Sequence, residues 1–449
     1  MDRWRRNVYI LMVTSFVAAS GMSVIMPFLP LYVEQLGVAD PKAISMWTAI
    51  AYSANFFGAA IFSPIWGSLA DRFGRKLMML RSGFGMTIII FLMGTVHSVQ
   101  ALAGLRLLNG VIAGFIAAST AFVASNTPRA HVGYALGLIQ GASVAGNIMG
   151  PLYGGVMVHF LPVHYVFFAT SAGLLIASTG VLLFVVEEFE RPVAVAVAVA
   201  VAAPRPEGRP VPHRGKTVSR LFGRGLSDLL RQPVFLGLLL ATGMAQFAQS
   251  TVEPIVTLFV GTLKTPPEYL TIMVGLAFSA AGFSTFIAAP ILGKYGDRHG
   301  SKRVLQLALA GAAALYLPQG LVQTSWQLLW VRLGLGAFIG GIMPSLQAII
   351  SRLTPGTKRA TAFGLNQSAV YVGNFTGPLV GGLVSGWLGY RAVFFLASVV
   401  LFCDLLWATR VAPEPRMGPA ASASGIVAAG AEAACAGTEA AATSNEGQA

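Results

Sequence analysis

Long apolar runs alternate with short polar turns along almost the whole chain. About twelve runs can be drawn, each near the ~20 residues that a bilayer-crossing helix needs. They fall at 8–34, 44–69, 77–97, 99–123, 133–160 and 164–186, then at 233–260, 270–292, 304–322, 327–350, 361–388 and 391–410. This pattern predicts an all-α integral membrane protein with twelve transmembrane helices. One turn is unusually charged: Gly67-Ser-Leu-Ala-Asp71-Arg72-Phe-Gly74-Arg75-Lys76. It recurs as Gly293-Lys-Tyr-Gly-Asp297-Arg298-His-Gly300-Ser-Lys302-Arg303, with Asp71 and Asp297 separated by 226 residues (297 − 71), about half the chain.

The fifth and eleventh runs repeat most closely. Tyr134–Gly155 and Thr361–Gly382 align without gaps at an offset of 227, with 12 identities in 22 positions. Pro27 and Pro254 carry the same offset. Matching charged turns on one membrane side require two copies in the same orientation, six helices each, related by an axis along the membrane normal. The expected organisation is therefore a six-helix bundle over 1–190, a cytoplasmic linker over 191–231, a second six-helix bundle over 232–411 and a disordered cytoplasmic tail over 412–449. Proline-rich sequence from Pro204 to Pro212 cannot continue a helix, and the tail is rich in Ala, Gly and Ser.

Composition agrees with a bilayer as the natural solvent. Hydrophobic residues make up 55% of the chain and charged residues 10%, where soluble domains carry roughly 25% charged. The formal charge of +13 could suggest nucleic acid, but the cations are one-sided. With a cytoplasmic N-terminus, 25 of the 30 Lys and Arg fall in cytoplasmic segments, as the positive-inside rule requires. Both termini are then cytoplasmic, and nucleic acid is excluded as a partner. The Met-Asp-Arg-Trp-Arg-Arg start is followed by a run too long for a signal peptide, so a retained first helix is expected. Cys403 and Cys435 are too separated to make a disulfide or zinc framework.

Several polar residues inside the runs are candidates for chemistry. Arg106 and Arg332 are intramembrane cations, again 226 apart. Such groups face a cavity or a partner, although Arg106 lies only about two turns deep and snorkelling competes. Thr242, Gln246, Gln249, Ser250, Glu253 and Thr257 form one helical stripe, with Gln246 and Gln249 as candidate residues of a substrate cavity. Glu253 on that stripe is either a proton-coupling carboxyl or a solvated acid of the outer vestibule. Asp404 is a second candidate proton-coupling acid, expected to pair with Arg410 near the inner surface. Gln140, Asn147, Gln367, Tyr371 and Asn374 form stripes on the two repeated helices, with Asn109, Asn55 and Tyr52 nearby. They suit interhelical hydrogen bonding and equally a weakly specific drug cavity. No His-Glu-x-x-His, Gly-x-Ser-x-Gly or P-loop sequence occurs. The expectation is a transporter without metal or cofactor, not an enzyme, driven by an ion gradient.

The charged turns, the Met26-Pro-Phe-Leu-Pro30 end of the first run and the Gly-rich fifth run resemble the major facilitator superfamily over roughly residues 5–410. Within it they are most similar to the twelve-helix drug:proton antiporters, multidrug resistance proteins among them. The resemblance implies the major facilitator fold. It also implies that Gly67, Asp71, Arg72, Gly74, Arg75 and Lys76 form a conformational latch, echoed more weakly by Asp297 and Arg298. The bland alternative is a positive-inside anchor. The start of the eleventh helix, on the same membrane side, is the expected latch partner. Gly146, Gly150, Pro151, Gly154 and Gly155 match the antiporter signature of the fifth helix, where helix packing and control of leak both remain open. Arg106 matches an arginine implicated in proton coupling. The implied function is export of lipophilic or cationic drugs in exchange for protons, by alternating access, from a monomer in the inner membrane. An exporter of a defined metabolite, such as a sugar or amino-acid derivative, is the alternative. A polytopic receptor or enzyme would have no need of matched halves.

Overall fold

The apolar runs fold as helices because a bilayer offers no partner for backbone polar groups, which must then bond within each segment. The computed structural model describes residues 3–128, 131–187, 229–355 and 358–411, except for the side chains of Asp71, Arg72 and Ala360. The expected linker up to residue 228, with its Val–Ala run, and the expected tail lie outside these residues. The first half contains α1 (Arg3–Gln35), α2 (Pro41–Phe73), α3 (Arg75–Met93), α4 (Val99–Ile112), α5 (Phe115–Asn126), α6 (Val132–Phe160) and α7 (His164–Phe184). The second contains α8 (Pro233–Thr262), α9 (Leu270–His299), α10 (Ser301–Leu321), α11 (Ser325–Leu353), α12 (Arg359–Leu388) and α13 (Tyr390–Val411). Among the described residues, eleven stretches are long and apolar enough to cross a membrane. The twelfth long helix, α12, spans 30 residues and dilutes its apolar face with Asn366, Gln367 and Asn374.

Packing repeats with the sequence. Helix α1 packs on α6 as α8 packs on α12, α2 on α4 as α9 on α11, and α3 on α7 as α10 on α13. The halves meet through α2 against α12 and α6 against α9, two contacts exchanged by the same repeat. The twelve-span, two-bundle architecture expected from the sequence is thus the one observed.

The charged turns are built alike. Gly74 and Gly300 both take φ +97°, a region closed to side chains with a Cβ, and each ends one helix where the next begins. The opposite membrane face uses side-chain caps instead. Asp40 accepts from the Lys42 and Ala43 amides at 3.4 and 3.1 Å, with Pro41 at the first helical position. Thr324 and Gln327 form a capping box on α11.

One span departs from expectation. The single helix expected over 99–123 is broken at Ala113-Gly114 into α4 and α5, with Gly114 at φ +137°. The freed carbonyls find side chains: the Trp66 indole donates to Val111 O at 2.6 Å, and Arg81 Nη2 donates to Ile112 O at 3.1 Å. The Arg81 guanidinium lies 3.4 Å from the centre of the Trp66 ring, a cation–π contact that fixes both donors.

Candidate functional site

A cavity of about 770 Å³ lies between the halves, on the side of the membrane that carries the Gly74 and Gly300 turns. Its walls include Met22 of α1, Met86 of α3, Phe115 of α5, Gln140 of α6 and Gln367 and Tyr371 of α12. The broken span supplies Ala113 to Ala117, so the helix interruption lines the cavity instead of facing lipid. Sulfur, aromatic and neutral amide groups make a surface on which apolar molecules can pack without one demanded hydrogen-bonding pattern.

On the opposite side the halves are closed on one another. Gly155 of α6 sits against α9, where an added Cβ would lie 2.6 Å from Thr271 O. Its repeat mate Gly382 of α12 sits against α2, 2.7 Å from the Ala49 Cβ by the same measure. Ser279 Oγ donates to Ile148 O at 2.6 Å and Thr257 Oγ1 to Pro27 O at 2.5 Å, both across the halves. A further bond joins two polar side chains: the Tyr52 hydroxyl of α2 donates to Glu253 Oε2 of α8.

Most of the α8 stripe containing Glu253 faces partners. Thr242 donates to Asn366 Oδ1 at 2.8 Å, Gln246 to Asn374 Oδ1 at 2.9 Å, and Ser250 to Gly373 O at 3.0 Å. Gln246 and Asn374 therefore clasp α8 to α12. Gln249 is half-buried, and Asn147 is exposed on α6. Asn109 is buried and donates to Asn55 Oδ1 at 2.9 Å, joining α4 to α2. Of the residues placed in a cavity on sequence grounds, Gln140, Gln367 and Tyr371 line it.

Both intramembrane arginines are buried, Arg106 at 1% exposure and Arg332 at 6%, so neither snorkels to an interface. Each donates from Nε to the carbonyl of a repeat-related residue on the neighbouring helix: Arg106 to Ala51 O at 3.2 Å and Arg332 to Ala277 O at 3.0 Å. Their second contacts differ. Arg106 Nη2 lies 2.9 Å from the Met26 sulfur, whereas the Arg332 guanidinium stacks 5.0 Å from the Phe278 ring. At the Arg332 site the second half thus has Glu253 and Phe278 where the first half has Met26 and Tyr52. That exchange allows a hydroxyl from one half to meet a carboxyl from the other.

Asp404 does not pair with Arg410. It is fully buried on α13, and among the described residues neither carboxyl oxygen has a hydrogen-bond partner. Six residues of helix rotate a side chain by roughly 240°, which carries the exposed Arg410 to a different face.

At the first charged turn, sequence reasoning missed Glu187. Its two carboxylate oxygens accept from the Arg75 and Lys76 amides at 2.8 and 3.0 Å, capping the positive end of α3. Arg75 Nη1 donates to Ala121 O at 2.5 Å and Lys76 Nζ to Leu182 O at 3.0 Å. These contacts stay within the first half and do not reach α12. The side chains of Asp71 and Arg72 lie outside the described residues; Gly67 lies on α2 with open space beside it. At the second turn Asp297 pairs with Arg352 at 3.5 Å, while Arg298 is exposed. The only sequence hint to Glu187 was an acid directly after the sixth run, and nothing in its spacing ties it to Arg75.

In the glycine motif, Gly146, Gly150 and Gly154 receive α1, the first with Phe16 O 2.5 Å from where a Cβ would stand. Pro151 lies inside α6 beside α9, where its carbonyl abuts Gly275.

Residues 11–273 and 238–439 match the Major Facilitator Superfamily. The chain belongs to this superfamily. It is 38% identical over 401 residues to the Multidrug resistance protein MdtG of Enterobacter lignolyticus, covering 89% of this chain and 90% of that protein. The Multidrug resistance protein MdtG of Serratia proteamaculans is 36% identical over 405 residues, covering 90% and 93%. Major facilitator architecture is equally clear among solved structures. A bacterial homologue of the human lysosomal transporter Spinster, in an inward-facing and occupied conformation, superposes with a TM-score of 0.68 at 14% identity, covering 92% of this chain and 97% of that one. The human organic anion transporter MFSD10 gives a TM-score of 0.60 at 17% identity, covering 91% and 100%. As a superfamily member, the chain is a multi-pass membrane transporter.

Proposed function

We propose that this protein exports lipophilic and cationic drugs in exchange for protons, as a monomer in the inner membrane with both termini in the cytoplasm. The observation that carries the reading is the pairing of a large, neutral, partly aromatic cavity on one face with a seal containing Glu253 on the other. The multidrug relatives point the same way, and the one-sided cations support the orientation.

Alternating access requires the Thr257–Pro27, Gly155 and Gly382 contacts to part while the cavity side closes. Glu253 is the group that links this motion to a proton. A hydrogen bond to an ionised carboxylate is roughly twice as strong as one to a neutral acid. The Tyr52 bond holds the Glu253 carboxyl across the closed seam, so parting of the halves breaks that bond and frees the carboxyl to exchange a proton. The charged turns serve as latches on the cytoplasmic face, and 191–231 connects the two bundles.

The test is drug-driven proton release from acid-loaded proteoliposomes holding the full chain, with lipophilic cations, antibiotics and sugars added in turn. Dissipation of the pH gradient by several unrelated drugs is expected. A response to one sugar or metabolite alone would replace this reading with a dedicated exporter.

A further inference from the structure

Away from the cavity, the groove between the first turns of α1 and α6 has the make-up of a ligand site. Trp4 stacks on His131 with ring centres 5.0 Å apart and planes 11° from parallel. The Arg5 guanidinium lies 5.3 Å from the Trp4 ring. Tyr9 and Tyr134 line the groove together with Arg5. Together with Val8 and Leu138 these residues enclose about 250 Å³.

The chemistry of this lining is one-sided. It offers a guanidinium, an indole N–H, an imidazole and two phenols, and among the described residues no carboxyl. Tyr134 is 59% exposed and Tyr9 40%, an outlay of aromatic surface that helix packing does not account for. The groove also points away from the transport path: Tyr134 and Leu138 stand about 200° around α6 from Leu136 and Gln140, which line the cavity. It lies at the end of the helices on the membrane side of the Gly74 turn, where tyrosine, tryptophan and arginine meet lipid headgroups.

We propose that this groove binds the phosphate headgroup of an anionic phospholipid from that leaflet. Arg5 supplies the charge, Tyr9, Tyr134 and His131 the hydrogen bonds, and Val8 and Leu138 the bed for the first part of an acyl chain. A zwitterionic headgroup brings an ammonium that Arg5 repels, so the site discriminates by headgroup charge. The occupant would tie the start of α1 to the start of α6.

Native mass spectrometry of the full-length protein, mixed with phosphatidylglycerol or phosphatidylcholine of identical chains, tests this without any transport readout. The wild type is expected to retain phosphatidylglycerol preferentially, and Arg5→Gln to lose about fivefold of that preference, the effect of one interfacial cation. Tyr134→Phe should weaken retention less, and Arg3→Gln, outside the groove, should leave it unchanged. Excess inorganic phosphate should not displace the lipid. Equal retention of both lipids by the wild type would overturn the assignment. So would equal losses in Arg3→Gln and Arg5→Gln, which mark a diffuse basic surface, or displacement by phosphate, which marks a free-anion site.

Discussion

The Tyr52 hydroxyl donates a hydrogen bond to the Glu253 carboxyl across the seam between the halves. The two residues are 201 positions apart, on helices that are not each other's repeat mates. Each replaces an apolar residue of the other half: Tyr52 aligns with Phe278, and Glu253 with Met26. This exchange breaks the internal symmetry at the position where the two halves must part.

The first prediction concerns that bond. Glu253→Gln should cut drug-driven proton release at least tenfold while drug binding, measured by tryptophan quenching, changes by less than about threefold, because the variant keeps shape and hydrogen bonding but cannot ionise. Tyr52→Phe should keep exchange but loosen the seal, raising labelling of cysteines placed on the outer face. Undiminished antiport in Glu253→Gln would remove this acid from coupling.

Glycines at the seam should be intolerant in a position-specific way. Gly155→Val and Gly382→Val insert atoms where backbone or Ala49 already stands, at a cost of ~1–3 kcal/mol typical of overpacking. Because the added atoms overlap in the sealed state, transport should fall sharply while outer-face accessibility rises. Gly137→Ala and Gly364→Ala meet nothing within 4 Å and should transport normally. Equal tolerance at all four positions would mean that the seam opens without needing close approach.

Glu187 should matter for stability more than for turnover. Its carboxylate holds two amides at the start of α3, so Glu187→Ala should cost about 1 kcal/mol, read as a lowered unfolding temperature in detergent. Glu187→Asp should recover only part of the loss. An unchanged melting curve for the alanine variant would show that Arg75 and Lys76 hold the turn by themselves.

Asp404 invites the reverse expectation. A buried carboxyl without partners costs free energy that a neutral group does not. Asp404→Asn should leave stability equal or higher by the same melting measurement. Drug-driven proton release should persist within about twofold, since among the described residues Asp404 has no hydrogen bond that could lead to the seal. Abolished exchange with intact folding would instead make Asp404 a second proton carrier.

The twelve spans, the repeat and the two matched turns were legible from the sequence. Each rests on local physics: apolar length for a bilayer-crossing helix, glycine where φ must be positive, and like sequence giving like structure 226 or 227 residues away. Gln140, Gln367 and Tyr371 were found in the same way, since helical periodicity places them on one face. The break at Ala113-Gly114 was not foreseen, because an apolar run gives no sign that Trp66 and Arg81 will satisfy its freed carbonyls. Counting residues from the helix end places Arg106 shallow, yet burial depends on neighbouring helices and leaves it 1% exposed.

The sequence by itself therefore determined the solvent, the number of spans, the two-fold repeat and the identity of the unusual charges. Only the tertiary structure decided their partners. Glu253 finds Tyr52, Glu187 finds the α3 amides, and Asp404 finds no one, because partner choice is fixed by how helices cross and not by spacing along the chain.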